Sequence, residues 1–311
     1  MKKRPYGATG KFVSEIGFGA WQLGNAKDWG TMSDEEAIKL VHAALDCGVN
    51  FFDTAPGYGL GKSEELLGRA LKGRRDEVVI NTKYGHHADG SSDFSADRIR
   101  EAVEGSLQRL QTDYLDSILL HNPPFELLNG SAPQYEVLEQ LKAEGKILAY
   151  GASVDSSREM LEVIDNSNSG IMEVMFNIFY QETAAVFTKA KEKHIGLIIK
   201  VPLDSGWLSG KYNSESRFHG IRSRWSAETI KQRSEWLKKI DFITNDKTSM
   251  TQAALRFILS YEEIATVIPG AKNLQQLKEN ISAAEEAMPE EYVQKLNEIW
   301  ESEIKNCKFE W

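Results

Sequence analysis

Four residues of this chain have the types that proton transfer requires, and each stands at or just beyond the end of an apolar run. Asp53 closes Asn50-Phe51-Phe52-Asp53, and Tyr58 lies in the stretch that follows. Lys83 ends Ile80-Asn81-Thr82-Lys83, and His121 ends Ser117-Ile118-Leu119-Leu120-His121. A lysine whose stem is buried by such a run needs a charged partner, and Asp53 is the nearest candidate. A tyrosine with an ordinary pKa of about 10 is a weak acid at neutral pH. A neighbouring ammonium favours its anion and lowers that pKa. A histidine beside it can donate a hydrogen bond to a carbonyl oxygen and orient the substrate. Together these groups suit hydride addition to a carbonyl, where the developing alkoxide must be given a proton.

Such a set works only if the elements carrying it converge. Short apolar runs at 15–20, 49–53, 78–82, 117–121, 147–151, 173–177, 196–201 and 265–268 read as strands. Most are apolar at consecutive positions, as parallel strands buried on both faces are. Amphipathic helical patterns alternate with them at 33–47, 63–71, 95–110, 134–144, 156–164, 183–193, 251–260 and 273–286. Ser33 with Glu36 is a capping box, and Gly48 stops the first helix. The alternation predicts a single-domain (β/α)8 TIM barrel over residues 1–311 rather than an open doubly wound sheet. Strand ends then share one rim, where catalytic residues collect. The longest break, about 203–249, contains Trp207, Tyr212, Phe218, Trp225 and Trp236. It is expected as an active-site loop over the C-terminal face.

Composition narrows the function classes. Of 311 residues, 41% are hydrophobic and 27% charged, the profile of a globular chain. The net charge of −9 disfavours nucleic acid as a partner, since phosphate binding needs clustered cations. No apolar run reaches the roughly 18 residues of a membrane span. Two cysteines, Cys47 and Cys307, and a start without an apolar signal segment point to the cytoplasm. The acidic surface selects no oligomeric state. Several motifs fail. Gly17-Phe-Gly19 lacks the third glycine of a dinucleotide fingerprint, having Gln22 there. Gly57 to Lys62-Ser63 is one residue short of a phosphate loop, and His86-His87 has no cluster to complete a metal site.

The chain resembles the aldo-keto reductases over nearly its whole length. The resemblance rests on Phe52-Asp53-Thr-Ala-Pro-Gly-Tyr58-Gly, Ser63-Glu64-Glu-Leu-Leu-Gly68, Thr82-Lys83 and Leu120-His121-Asn122-Pro123. It continues through Gly151-Ala-Ser153, Pro202-Leu203, Gly206-Trp-Leu-Ser-Gly-Lys211, Ile268-Pro-Gly-Ala-Lys272 and Glu279-Asn280. It implies a barrel that binds NADPH in extended form, with Tyr58 as acid/base, Lys83 and Asp53 as its tuners, and His121 orienting a small carbonyl or alcohol substrate with Trp21 and Asn122. It implies cofactor contacts from Gly19, Ala20, Trp21, Asp53, Ser153, Glu173, Lys200, Pro202, Leu203, Ser205, Gly206, Lys211, Gly270, Lys272, Gln276 and Asn280. Lys272 is the natural ligand for a 2′-phosphate, which favours NADP. The family often has Arg where this chain has Gln276, so NAD stays open. Trp21, Trp29, Tyr84, Phe125, Trp207 and Trp225 are candidates to line the pocket.

Three positions depart from the family pattern: Val154 where Asn is usual, Glu173 where many members have Gln, and Lys200 where an aromatic often stacks on the nicotinamide. Glu173 and Lys200 fall on neighbouring strands, so an ion pair between them is expected, with one charge offsetting the other. The resulting expectation is an NADP-dependent oxidoreductase interconverting a carbonyl (aldehyde, ketone or sugar) and an alcohol. The alternative is a cofactor-bound regulatory subunit with little turnover, like the family's channel-associated members.

Overall fold

The computed structural model describes residues 1–307 except 219; residues 308–311 of the predicted domain lie outside it. Among the described residues ten strands follow one another: β1 (Lys3–Pro5), β2 (Phe12–Ser14), β3 (Phe18–Gly19), β4 (Phe51–Asp53), β5 (Val79–Tyr84), β6 (Leu115–His121), β7 (Ile147–Val154), β8 (Ile171–Met175), β9 (Gly196–Lys200) and β10 (Ile264–Val267). The first two form an antiparallel hairpin, and β3 to β10 form a parallel sheet in chain order. Its edges meet: Ile16 bridges Val267, Gly19 bridges Gly270, and Gly17 N–H donates to Val267 O at 2.8 Å. The sheet is therefore the closed (β/α)8 barrel expected from the alternation.

Helices α1 (Ala26–Trp29), α2 (Asp34–Asp46), α3 (Lys62–Ala70), α4 (Ala96–Leu110), α5 (Pro133–Ala143), α6 (Ser157–Asn166), α7 (Phe187–Glu192), α8 (Ala227–Lys239), α9 (Met250–Leu259), α10 (Leu274–Ser282) and α11 (Glu290–Ile299) surround it. Ser33, Ser156 and Ser249 start α2, α6 and α9 with full capping boxes. No helix among the described residues is long and apolar enough to cross a membrane.

Alternation along the strands makes two cores. Phe52, Ile80, Ile118, Leu120, Tyr150, Ala152, Val154, Met172, Val174, Leu197 and Ile199 pack outward among the helices. Phe51, Val79, Leu119, Ala149, Ile171 and Ile198 fill the barrel interior, and Tyr6 and Val13 of the hairpin complete that inner core. The hairpin fits closely: a Cβ on Gly7, at φ +54°, would stand 2.6 Å from Gly170 O. On β7, a Cβ on Gly151 would fall 1.6 Å from Ile171 O, so only glycine lets β7 approach β8 there.

The segment 203–249 is not one loop. It holds short 3-10 turns at Asp204–Ser209, Gly220–Arg224 and Asp241–Ile243, and the whole of α8. Its aromatics hold it together. Trp207 lies 5.5 Å from both Tyr212 and Phe218, and Phe218 lies 4.7 Å from Trp225.

Candidate active site

In-register pairing carries the candidate residues to one rim. Asp53 pairs with Asn81, Lys83 with Leu119, His121 with Ser153, and Ser153 with Glu173. Lys83 is buried and donates to both carboxylate oxygens of Asp53 at 2.6 and 2.7 Å, and to Thr54 O at 3.1 Å. Its ammonium lies 5.3 Å from the centre of the Tyr58 ring. The Tyr58 ring meets His121 edge to face at 5.9 Å, and Trp21 at 6.3 Å. Trp29 packs on Trp21 at 5.7 Å. The four residues singled out in the sequence thus stand side by side.

The electrostatics differ from the simplest expectation. Burial pushes the Tyr58 hydroxyl above its ordinary value; Lys83 pulls it down, but does not win, because Asp53 and Glu173 add to the upward push. Tyr58 therefore keeps its proton at neutral pH. Burial also works against the Lys83 charge, yet Asp53 and Glu173 hold its pKa above the usual lysine value. His121 is held well below the ordinary histidine range by burial, then by Lys83, Lys200 and His86, so its ring is neutral. Its Nδ1 has no hydrogen-bond partner.

The expected pair of Glu173 with Lys200 does not form. Glu173 points at Lys83 instead, with Oε2 at 3.1 Å from Nζ, and that oxygen accepts no hydrogen bond. Its other oxygen accepts from Ser153 Oγ at 3.2 Å. Lys200, at the mouth, pairs with Asp155 Oδ1 at 2.8 Å and donates to Ser153 Oγ at 2.8 Å and Asn122 Oδ1 at 2.9 Å. The reason is depth. Glu173 lies two residues below Met175, the partner of Lys200 in the ladder, and so faces the interior where Lys83 is. Val154 packs among the outer helices and takes no part in the cluster.

The other candidates lie around this centre. Ala20 N–H donates to Asp53 O at 2.8 Å, and Gly19 could carry no side chain, since a Cβ would stand 2.7 Å from Ile268 O. Pro202, Leu203, Ser205 and Gly206 follow β9 in a turn with left-handed residues at Val201, Asp204, Ser205 and Gly206. A β-branched residue such as Val201 rarely adopts that conformation. Lys211 is exposed, with Nζ 4.7 Å from the Tyr212 ring centre. Beyond β10, Gln276 accepts from Lys272 N–H at 3.0 Å, Asn280 donates to Gly270 O at 3.3 Å, and the Lys272 side chain is exposed. Tyr84, Trp207 and Trp225 are buried in packing, and Phe125 carries the Arg158 guanidinium at 4.2 Å.

Some contributors have no role assigned from the sequence. Asn81 donates to Asp53 Oδ1 at 2.7 Å. Ser63 ties Ala20 O to Thr54 Oγ1, at 2.8 and 2.9 Å. Glu64 accepts from Thr82 Oγ1 and Arg109 Nε at 2.6 and 2.7 Å. The Ser63-Glu64 motif therefore braces the two strands that present Asp53 and Lys83. Arg222 donates to Ser205 O at 3.0 Å and lies 5.5 Å from the Trp29 ring centre, joining the two sides of the mouth.

The model of the aldo/keto reductase family matches residues 15–301. The chain belongs to this family. It is 31% identical over 317 residues to the NADH-specific methylglyoxal reductase of Escherichia coli, covering 91% of this chain and 93% of that protein. It is 30% identical over 295 residues to the L-galactose dehydrogenase of Arabidopsis thaliana, covering 92% and 89%. The holo form of the aldo-keto reductase AKR11C1 from Bacillus halodurans superimposes with a TM-score of 0.83 at 29% identity, covering 100% of this chain and 98% of that one. Members of this family are oxidoreductases that use nicotinamide cofactors on small molecules.

Proposed function

We propose that this protein reduces small aldehydes, ketones or sugars with NADPH, Tyr58 supplying the proton. The observation that carries the reading is the buried Asp53–Lys83 pair beneath Tyr58, with neutral His121 against the same ring. A reduced nicotinamide cofactor bound here would supply the hydride, two electrons and a proton, that the carbonyl carbon needs, its oxidised form being a cation. Tyr58 gives its hydroxyl proton to the oxygen, so the carbonyl becomes an alcohol. Lys83, held charged by Asp53, stabilises the tyrosinate left behind until solvent reprotonates it. His121 donates to the carbonyl oxygen from its protonated nitrogen and fixes its direction.

The residues present fit such a cofactor. His121 Nδ1 and both amide atoms of Gln22 are buried without hydrogen-bond partners, so a polar ligand has groups to meet. Lys272, exposed two residues before α10, is a cation available to a 2′-phosphate, and this supports NADP over NAD.

The test is loss of nicotinamide absorbance with a panel of aldehydes, ketones and sugars, using NADPH and NADH in parallel. Tyr58→Phe should lower kcat/KM by about 10²–10⁴-fold and leave NADPH affinity within twofold. Full activity in that variant would remove Tyr58 from the reaction. Tight NADPH binding with no turnover on any substrate would favour a regulatory subunit.

A further inference from the structure

We propose that Glu173 makes this site select the oxidised form of its nicotinamide cofactor, so that the bound reduced form is a stronger reductant. The inference rests on the functional reading above and adds a charge argument. Two carboxylates, Asp53 and Glu173, share one ammonium, Lys83, and the three side chains are at most 3% exposed. The other charged or titratable groups facing Glu173 do not restore the balance. Tyr58 and His121 are uncharged at neutral pH. Lys200 reaches Glu173 only through the Ser153 hydroxyl, and its own charge is met by Asp155. With both carboxylates ionised, one negative charge is left in excess around Lys83.

A ring that delivers hydride to a carbonyl held by Tyr58 and His121 must stand about 3–3.5 Å from that carbon. Glu173 Oε2 lies 3.1 Å from the Lys83 ammonium, itself 5.3 Å from the Tyr58 ring centre, and an unbalanced charge about 10 Å away in a protein interior changes binding of a cation by about tenfold or more. The reduced ring is neutral and gains nothing. The preference therefore falls on the oxidised ring and pulls the bound couple to lower potential. It also agrees with a Tyr58 that keeps its proton: both favour carbonyl reduction.

The experiment titrates NADP⁺ and NADPH separately into the full-length protein, following Trp fluorescence, at pH 8. In Glu173→Gln the ratio of the NADPH to the NADP⁺ dissociation constant should fall about tenfold, which is ~30 mV for a two-electron couple. Lys200→Met should move the ratio the other way. Wild-type protein gives a measurement that needs no variant: lowering the pH from 8.5 to 6 should shrink the preference, as the carboxylate pair takes up a proton. A ratio unchanged within twofold in Glu173→Gln, or constant with pH in the wild type, overturns the inference. Failure of wild-type protein to bind either form would instead overturn the functional reading, and this inference with it.

Discussion

Two carboxylates around one ammonium have a consequence for stability as well as for binding. Burial, then Glu173, pushes Asp53 up to about 7, against the pull of Lys83 and Asn81. The unfolded chain releases that proton near the ordinary Asp value of about 4. The folded chain thus binds the extra proton between these values. The stability it brings is complete below about pH 4 and is lost as pH rises through 7. Glu173→Gln removes the like charge, so Asp53 pairs with Lys83 alone and titrates lower. The variant should gain stability relative to wild type from pH 5 to pH 8, on the order of 1–3 kcal/mol, read as urea midpoints. A constant difference across that range would show that Asp53 does not hold the proton. At this scale the sequence was readable for residue type and poor for partner choice. Asp53, Tyr58, Lys83 and His121 end apolar runs and announce themselves. That Glu173 meets Lys83 and Lys200 meets Asp155 depends on depth within the barrel and on contacts between strands that are not neighbours in the sheet, which adjacent positions in the chain do not encode.

The elements were legible where a single period dominates. Strands expected at 49–53, 78–82 and 196–201 are β4, β5 and β9 within a few residues, because their apolar runs are bounded by turn residues. The run read at 173–177 begins earlier, at Ile171, since the chain turns into β8 directly after Gly170. The hairpin of β1 and β2 was missed: each strand has three residues, too few to show alternation. Helix α8 was missed because its signal is buried charge. Arg233 and Asp204 pair at 2.9 Å, the side chains 1% and 0% exposed, and hold α8 to the turn after β9. Burial raises the Asp204 carboxyl despite Arg233. Arg233→Met strips that carboxylate of its charge partner and should cost about 3–5 kcal/mol. The loss should be greatest at high pH and shrink as the pH falls and Asp204, whose carboxyl burial already holds above its ordinary range, takes up a proton. Adding Asp204→Asn should recover part of it. A loss independent of pH would mean that Arg233 acts through packing on Trp225, 5.5 Å away, rather than through its charge.

Across the whole molecule, the barrel axis joins the hairpin to the rim. Tyr6 of the hairpin end and Ser117 of β6 share a hydrogen bond of 2.6 Å. Ser117 donates to Asn81 Oδ1 at 2.5 Å, and Asn81 donates to Asp53 Oδ1 at 2.7 Å. Since Ser117 spends its proton on Asn81, Tyr6 must be the donor in the first bond. Every donor in the chain therefore points toward the buried carboxylate. Burial holds the Tyr6 hydroxyl well above its ordinary value, so the chain stays intact across the pH range of folding. Removing its end and removing its middle should differ. Tyr6→Phe deletes one bond and leaves Ser117 and Asn81 engaged, at a cost of about 0.5–1.5 kcal/mol. Ser117→Ala leaves both the Tyr6 hydroxyl and Asn81 Oδ1 buried without partners, at a cost of about 2–4 kcal/mol. In both variants Asn81 still holds Asp53, so the proposed carbonyl reduction should stay within about threefold of wild type. Urea midpoints and kcat/KM measured on the same preparations decide it. Equal stability losses would show that the chain is not continuous, and a large loss of activity in Tyr6→Phe would show that the hairpin reaches the chemistry through it.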